Sequence, residues 1–227
     1  HEDRDILHGG QEPDQITGNE GFDDLHGGDG GDTLKGGDDG DHVFGDGGVD
    51  EIEGGQGGDT LHGNEDGDKI QGEEGFDAIL GHGGDDELRG GGEVDHLSGH
   101  DGIDDMYGGD DPDELVGGPE GDPIAGGHGG DRIIGGLGVD LIDGSDGPDN
   151  INGNEGDDTI EAGAGADVSV EGNEGLDTIF GNVGDDVLSG GLDDDDLRGN
   201  DGTDTADGGP HLEGDACDAE NEVNCEF

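Results

Sequence analysis

The sequence has no tryptophan, one tyrosine, one methionine and two cysteines, and six Lys and Arg residues stand against 66 Asp and Glu. So few cations exclude nucleic acid as a direct partner, because phosphate contacts need Lys and Arg. No apolar run approaches the roughly 20 residues of a membrane span. No signal peptide and no initiator methionine open the chain, so a processed chain or a piece of a longer one is expected. A formal net charge of −60 with almost no aromatics excludes an ordinary globular core. No Ser/His/Asp constellation stands apart, since Ser98, Ser145 and Ser189 all fall on repeat positions. The chain is expected to be no enzyme. The twelve-residue EF-hand loop with its terminal Glu is also missing.

What the chain has is glycine, 59 of them, in a nine-residue register. The clearest unit is Gly27-Gly28-Asp29-Gly30-Gly31-Asp32-Thr33-Leu34-Lys35, numbered here as positions 1 to 9. Position 6 is Asp5, Asp14, Asp23, Asp32, Asp41, Asp50, Asp59, Asp68, Asp77, Asp86, Asp95, Asp104, Asp113, Asp122, Asp131, Asp140, Asp149, Asp158 and Asp167 without a miss. After one inserted residue it continues at Asp177, Asp186, Asp195 and Asp204. Two residues after nearly every one stands Leu, Ile, Val or Met. Only a repeating backbone holds such a register.

Positions 7 to 9 read as a three-residue strand with position 8 pointing inward. Positions 1 to 6 read as a turn, where glycine reaches positive φ and leaves main-chain carbonyls accessible. Asparagine at position 2 (Asn19, Asn64, Asn154, Asn173, Asn182, Asn200) supports positive φ there. Pro13, Pro112 and Pro148 at position 5 say that this amide makes no ladder bond. A carboxylate beside exposed carbonyls is hard-oxygen chemistry and suits Ca²⁺ with six to eight ligands. One unit cannot bury its aliphatic alone. Two make a coil of eighteen residues, and coils stack as parallel strands about 4.8 Å apart. With so thin a core, so much glycine entropy and so much self-repulsion, metal must be part of the fold.

The unit resembles the G-G-x-G-x-D-x-U-x repeat of the RTX (repeats-in-toxin, hemolysin-type) calcium-binding family over roughly residues 1–209. The resemblance implies an all-β, right-handed parallel β-roll with two nonapeptides per coil and calcium in two rows of turns. It implies many ions, roughly one per repeat, each held by position-6 aspartates and turn carbonyls of neighbouring coils.

Several local features carry their own expectations. Acid replaces the position-4 glycine at Glu12, Asp39, Asp66, Glu93, Asp111, Glu120 and Asp193, read as solvated side chains. Pro123 at position 7, with Pro119 and Glu120, marks 117–124 as the weakest coil. The insertion within Asp167-Val168-Ser169-Val170 reads as a β-bulge, with Val168 or Val170 turned inward. One position-9 column, beginning His8, His26, Phe44, His62, Leu80, Ser98, is more apolar than the other and reads either as chance or as a face for another subunit. The position-3 column is mostly Asp, Glu, Gln and Gly, so no flat Thr or Asn array for ice exists.

Residues 210–227 read as a separate acidic cap carrying Cys217 and Cys225. A disulfide between them would stabilise the tail by about 2–3 kcal/mol in an oxidising compartment; two free thiols are the alternative. A zinc site is disfavoured, because His211 has no partner. The expected protein is secreted, extracellular or at the cell surface, and structural. Homo-oligomers or head-to-tail filaments are expected, with 210–227 docking on 1–20 of the next copy. The alternative is a calcium-triggered folding module of a larger secreted enzyme, toxin or adhesin.

Overall fold

Position 8 organises the structure. In a computed structural model, which describes residues 4–210, 215–219 and 221–223, the position-8 side chains from Leu25 to Ala206 are at most 2 % exposed. Among the described residues, no other position supplies large apolar side chains to the core. The chain divides into two compact units, His1–Asp110 and Asp111–Phe227. Each is a β-solenoid of parallel strands, and no helix occurs among the described residues.

In the first unit twelve strands, from Ile6–Gly10 to Asp105–Asp110, alternate between two parallel sheets. Each therefore pairs with the strand two along, one coil away. Leu25 lies opposite Val43 and Val43 opposite Leu61, an offset of eighteen. In the second unit the strands from Glu114–Gly118 to Asn221–Val223 repeat the arrangement, with Ile133 opposite Ile151 and Ile124 opposite Ile142. Single aliphatics thus stack into two facing columns, which form the apolar core of each unit among the described residues, joined in the second by Ala162.

The strands are longer than three residues. Thr33–Asp38 and most others span positions 7 to 9 and then 1 to 3. Glycine at position 1 permits this, because it lies inside the coil against the carbonyl of the position-1 residue one coil on, as Gly18 does against Gly36. Positive φ falls at positions 2 and 4. Asn19 (85°), Asn64 (82°) and Asn173 (81°) occupy it at position 2, as the asparagines suggested. Asp39, Asp66, Glu93, Asp111 and Asp193 occupy it at position 4, near 71–79°. Their side chains are exposed, as solvated acids should be. The position-5 amide stays out of the ladder: those of Ile103, Leu176 and Thr203 donate to the carboxylates of Asp85, Asp157 and Asp185 one coil earlier.

At the insertion, Val170 is buried and Val168 is 67 % exposed. Ser169 pairs with Asn150 and Val170 with Ile151, so one extra residue is absorbed before the strand Ser169–Glu174 and register is regained. The coil before it is irregular too. Position 1 is glycine in every repeat except at Ala162, and there the strand Thr159–Glu161 stops at three residues. Strand pairing also continues past Gly209: Cys217 lies opposite Leu197, and Glu222 opposite Ala206.

The histidine column departs from its expected course. Rings of His8, His26, Phe44 and His62 stack at centroid spacings of 4.7–4.9 Å, then the stack moves sideways to His82 and His100 at position 2, not to Leu80 and Ser98. His62 Nδ1 and His82 Nε2 are 2.9 Å apart. Aliphatic and hydroxyl side chains at position 9 leave room for the position-2 imidazoles, whose left-handed backbone aims them along the same face.

Candidate metal centre

Each position-6 aspartate closes a turn and faces inward beside the position-1 glycine. From Asp23 to Asp204 these side chains are at most 3 % exposed. Asp5 is exposed and Asp14 half-buried, so two of the expected ligands stand outside the buried rows.

The two carboxylate oxygens have separate fates. Oδ1 accepts the main-chain N–H of the position-6 aspartate one coil earlier. Asp23 N–H donates to Asp41 at 2.7 Å, Asp50 to Asp68 at 2.8 Å, and Asp140 to Asp158 at 2.9 Å. Oδ2 has no hydrogen-bond partner and no solvent contact in the run Asp23 to Asp86, nor at Asp131, Asp140, Asp149, Asp158, Asp177 or Asp195. A buried charged oxygen without a donor is costly, and a long regular series of them cannot be a local fault. Oδ2 sits where a Cβ at position 1 would go: one added at Gly18 would collide with Asp23 Oδ2 and with the Gly36 carbonyl of the next coil. Carboxylate and main-chain oxygen thus converge on one cradle, and only glycine leaves it open.

All six basic side chains pair with surface carboxylates: Arg4 with Asp24, Lys35 with Glu53, Lys69 and Arg89 with Glu87, Arg132 with Glu114, and Arg198 with Asp196. Burial pushes several of the position-6 carboxyls upward, opposed in part by the main-chain hydrogen bond and reinforced by neighbouring aspartates. Asp41, Asp68, Asp86, Asp140, Asp149 and Asp195 rise to about 7. Asp59, Asp77 and Asp177 rise to about 6.

Among the described residues, no three acidic, histidine or cysteine side chains converge as a metal cluster. Main-chain carbonyl oxygens at position 1 converge with Oδ2 on the same cradle and are available as further donors. A mixed carboxylate and carbonyl set is what Ca²⁺ accepts and what Zn²⁺ does not favour.

The pattern is that of a known family. The profile described as RTX calcium-binding nonapeptide repeat matches residues 2–34, 26–61, 62–97, 85–115, 107–142, 116–151, 134–168 and 171–209. The chain belongs to the RTX calcium-binding nonapeptide repeat family. No curated protein matches it.

The nine-residue count missed Asp215. It is 2 % exposed, and its Oδ1 accepts the Asp195 N–H at 3.1 Å, the position-6 role one coil on. The signal was present in Asp215-Ala216-Cys217, an aspartate two residues before a small apolar side chain, but out of phase. Glu213, which held the expected phase, lies outside the described residues, as does Cys225.

Proposed function

We propose that this protein is a secreted structural element, folded by calcium bound along both lines of turns and carrying no catalysis. The observation behind it is the series of buried, unpartnered Asp Oδ2 atoms in a chain whose six cations are all engaged at the surface. The position-6 aspartates from Asp5 to Asp204 would share the ions with turn carbonyls, roughly one ion per repeat. The Oδ1 bonds hold each carboxylate in place, so Oδ2 needs little reorganisation to meet an ion. Extracellular modules that bind Ca²⁺ at about 10⁻⁴–10⁻³ M suit millimolar extracellular calcium, and a Cys217–Cys225 disulfide would suit the same compartment.

We further propose that copies join head to tail, residues 210–227 of one docking on 1–20 of the next. Parallel ladders favour this: among the described residues Ile6–Gly10 pairs with Asp24–Asp29 alone, and a parallel edge accepts another strand. Unlike ends make a heterologous contact, which propagates if it does not close. Electron microscopy of the chain in millimolar calcium tests the assembly. Filaments lost on deleting 210–227 support it; monodisperse particles unchanged by that deletion would leave a calcium-folded module of a larger secreted protein. Circular dichroism with excess chelator tests the first part separately, since a β spectrum that survives chelation removes calcium from the folding role.

A further inference from the structure

The second unit carries a groove of about 740 Å³ along one line of turns, and its lining is symmetric. The position-3 residues read, coil by coil, Pro119, Leu137, Glu155, Glu174, Leu192, Pro210. The middle four are in register on adjacent parallel strands, Leu137 opposite Glu155, Glu155 opposite Glu174, and Glu174 opposite Leu192. The insertion before Ser169 keeps this alignment, since the step from Glu155 to Glu174 is nineteen residues and the others are eighteen. Leu137 and Leu192 are 45 % and 42 % exposed. No basic side chain pairs with Glu155 or Glu174 among the described residues; Arg132 and Arg198, the basic residues of this unit, are engaged by Glu114 and Asp196. In the first unit the same column reads Gln11, Asp29, Gly47, Glu65, Gly83, Asp101, with no apolar flanks.

We propose that this groove binds an extended peptide segment in which one arginine is flanked, two residues away on each side, by large aliphatic residues. The spacing selects it. Strands about 4.8 Å apart put Leu137 and Leu192 about 7 Å on either side of the midpoint between the glutamates. In an extended peptide the residues at i−2 and i+2 lie on the same face as i, about 6.6–6.8 Å away. A guanidinium, planar with five donors, bridges two carboxylates one strand apart, while the aliphatic neighbours cover the two leucines. The charge is complementary, and the apolar ends set the spacing that a merely cationic ligand would not read.

Fluorescence anisotropy of a labelled acetyl-Leu-Ser-Arg-Ser-Leu amide with the calcium-saturated full chain in 0.15 M NaCl tests this. The control is its isomer acetyl-Arg-Leu-Leu-Ser-Ser amide, equal in charge and composition. We expect the first peptide to bind at least tenfold tighter. The E155Q/E174Q and L137S/L192S double variants should each remove that tenfold advantage, and the L137S/L192S variant should leave the isomer's affinity unchanged. All four positions are exposed, and circular dichroism verifies that the variants keep the calcium-loaded fold. Equal binding of the two isomers, no binding of the first at millimolar concentration, or unchanged preference in both variants would overturn the proposal.

Discussion

Each position-6 carboxylate does two jobs with two oxygens, and they can be separated. Asp86→Ala removes the acceptor of the Asp68 N–H, bonded at 2.7 Å, and the unpartnered Oδ2 together. A buried donor left without a partner costs about 1–3 kcal/mol before any ion is considered. Asp101 is exposed at position 3, so Asp101→Ala should stay within about 0.5 kcal/mol. Calcium titration followed by circular dichroism should show a clearly higher midpoint for Asp86→Ala alone; equal midpoints would mean that the ligand register is wrong. Acid gives a second test. Asp41, Asp68 and Asp86 rise from an ordinary 3.8 to about 7 because burial disfavours the charged form. A group raised in the folded state stabilises it fully below the unfolded value, and that contribution is lost as pH climbs through the folded one. The chelated chain should therefore gain β structure between pH 7.5 and pH 4. Calcium needs the same carboxyls deprotonated, so its apparent affinity should fall over the same range. A chelated chain less ordered at pH 4 than at pH 7.5 contradicts the first statement, and a calcium midpoint no higher at low pH contradicts the second.

At the scale of the strand and turn, position 1 decides whether a coil closes. Gly63→Ala would drive a Cβ into Asp68 Oδ2 and the Gly81 carbonyl. Main chain cannot yield as a flexible side chain can, so we expect a loss of at least about 2 kcal/mol in calcium, measured by chemical denaturation. Ala162 is the natural form of this fault. Its coil has a three-residue strand, and an extra residue follows within the same turn. If the extra residue compensates for the methyl group, deleting Val168 alone should destabilise, and adding Ala162→Gly to the deletion should recover most of the loss. Additive effects would show the two to be unrelated. These details mark where the sequence stopped being legible. Position 8, the position-6 row and positive φ at position 2 could all be read from spacing, because a nine-residue period exposes whatever recurs in it. Extension of strands through positions 1 to 3 could not, since glycine gives no strand signal. Nor could the choice between Val168 and Val170 at the bulge, the sideways step from His62 to His82, or the out-of-phase Asp215, because each depends on packing between coils at a single place.

Across the whole molecule the question is whether calcium coordinates or merely screens. A net charge of −60 gives a plain electrostatic reason for the chain to stay expanded. If that were all, salt would serve as well as calcium: at 1 M ionic strength the Debye length is about 3 Å, shorter than the roughly 4.8 Å between coils. Screening ions, however, stay in solvent, and the position-6 Oδ2 atoms of the run from Asp23 to Asp86 have no solvent contact. Only an ion that sheds water and enters the turn can meet them. Mg²⁺ dehydrates reluctantly and demands near-octahedral geometry, whereas Ca²⁺ accepts an irregular set of carboxylate and carbonyl oxygens. We therefore expect small-angle scattering to report an expanded chain, with a radius of gyration of about 50 Å, in chelator, in 1 M NaCl with chelator, and in millimolar Mg²⁺. Millimolar Ca²⁺ alone should contract it and bring up the β spectrum. Contraction to the same radius in NaCl would assign the transition to screening and leave the buried carboxylates without a cation. Contraction in Mg²⁺ equal to that in Ca²⁺ would keep the metal but overturn the choice of ion, because the cradle beside each position-1 glycine would then have to be octahedral and partly hydrated.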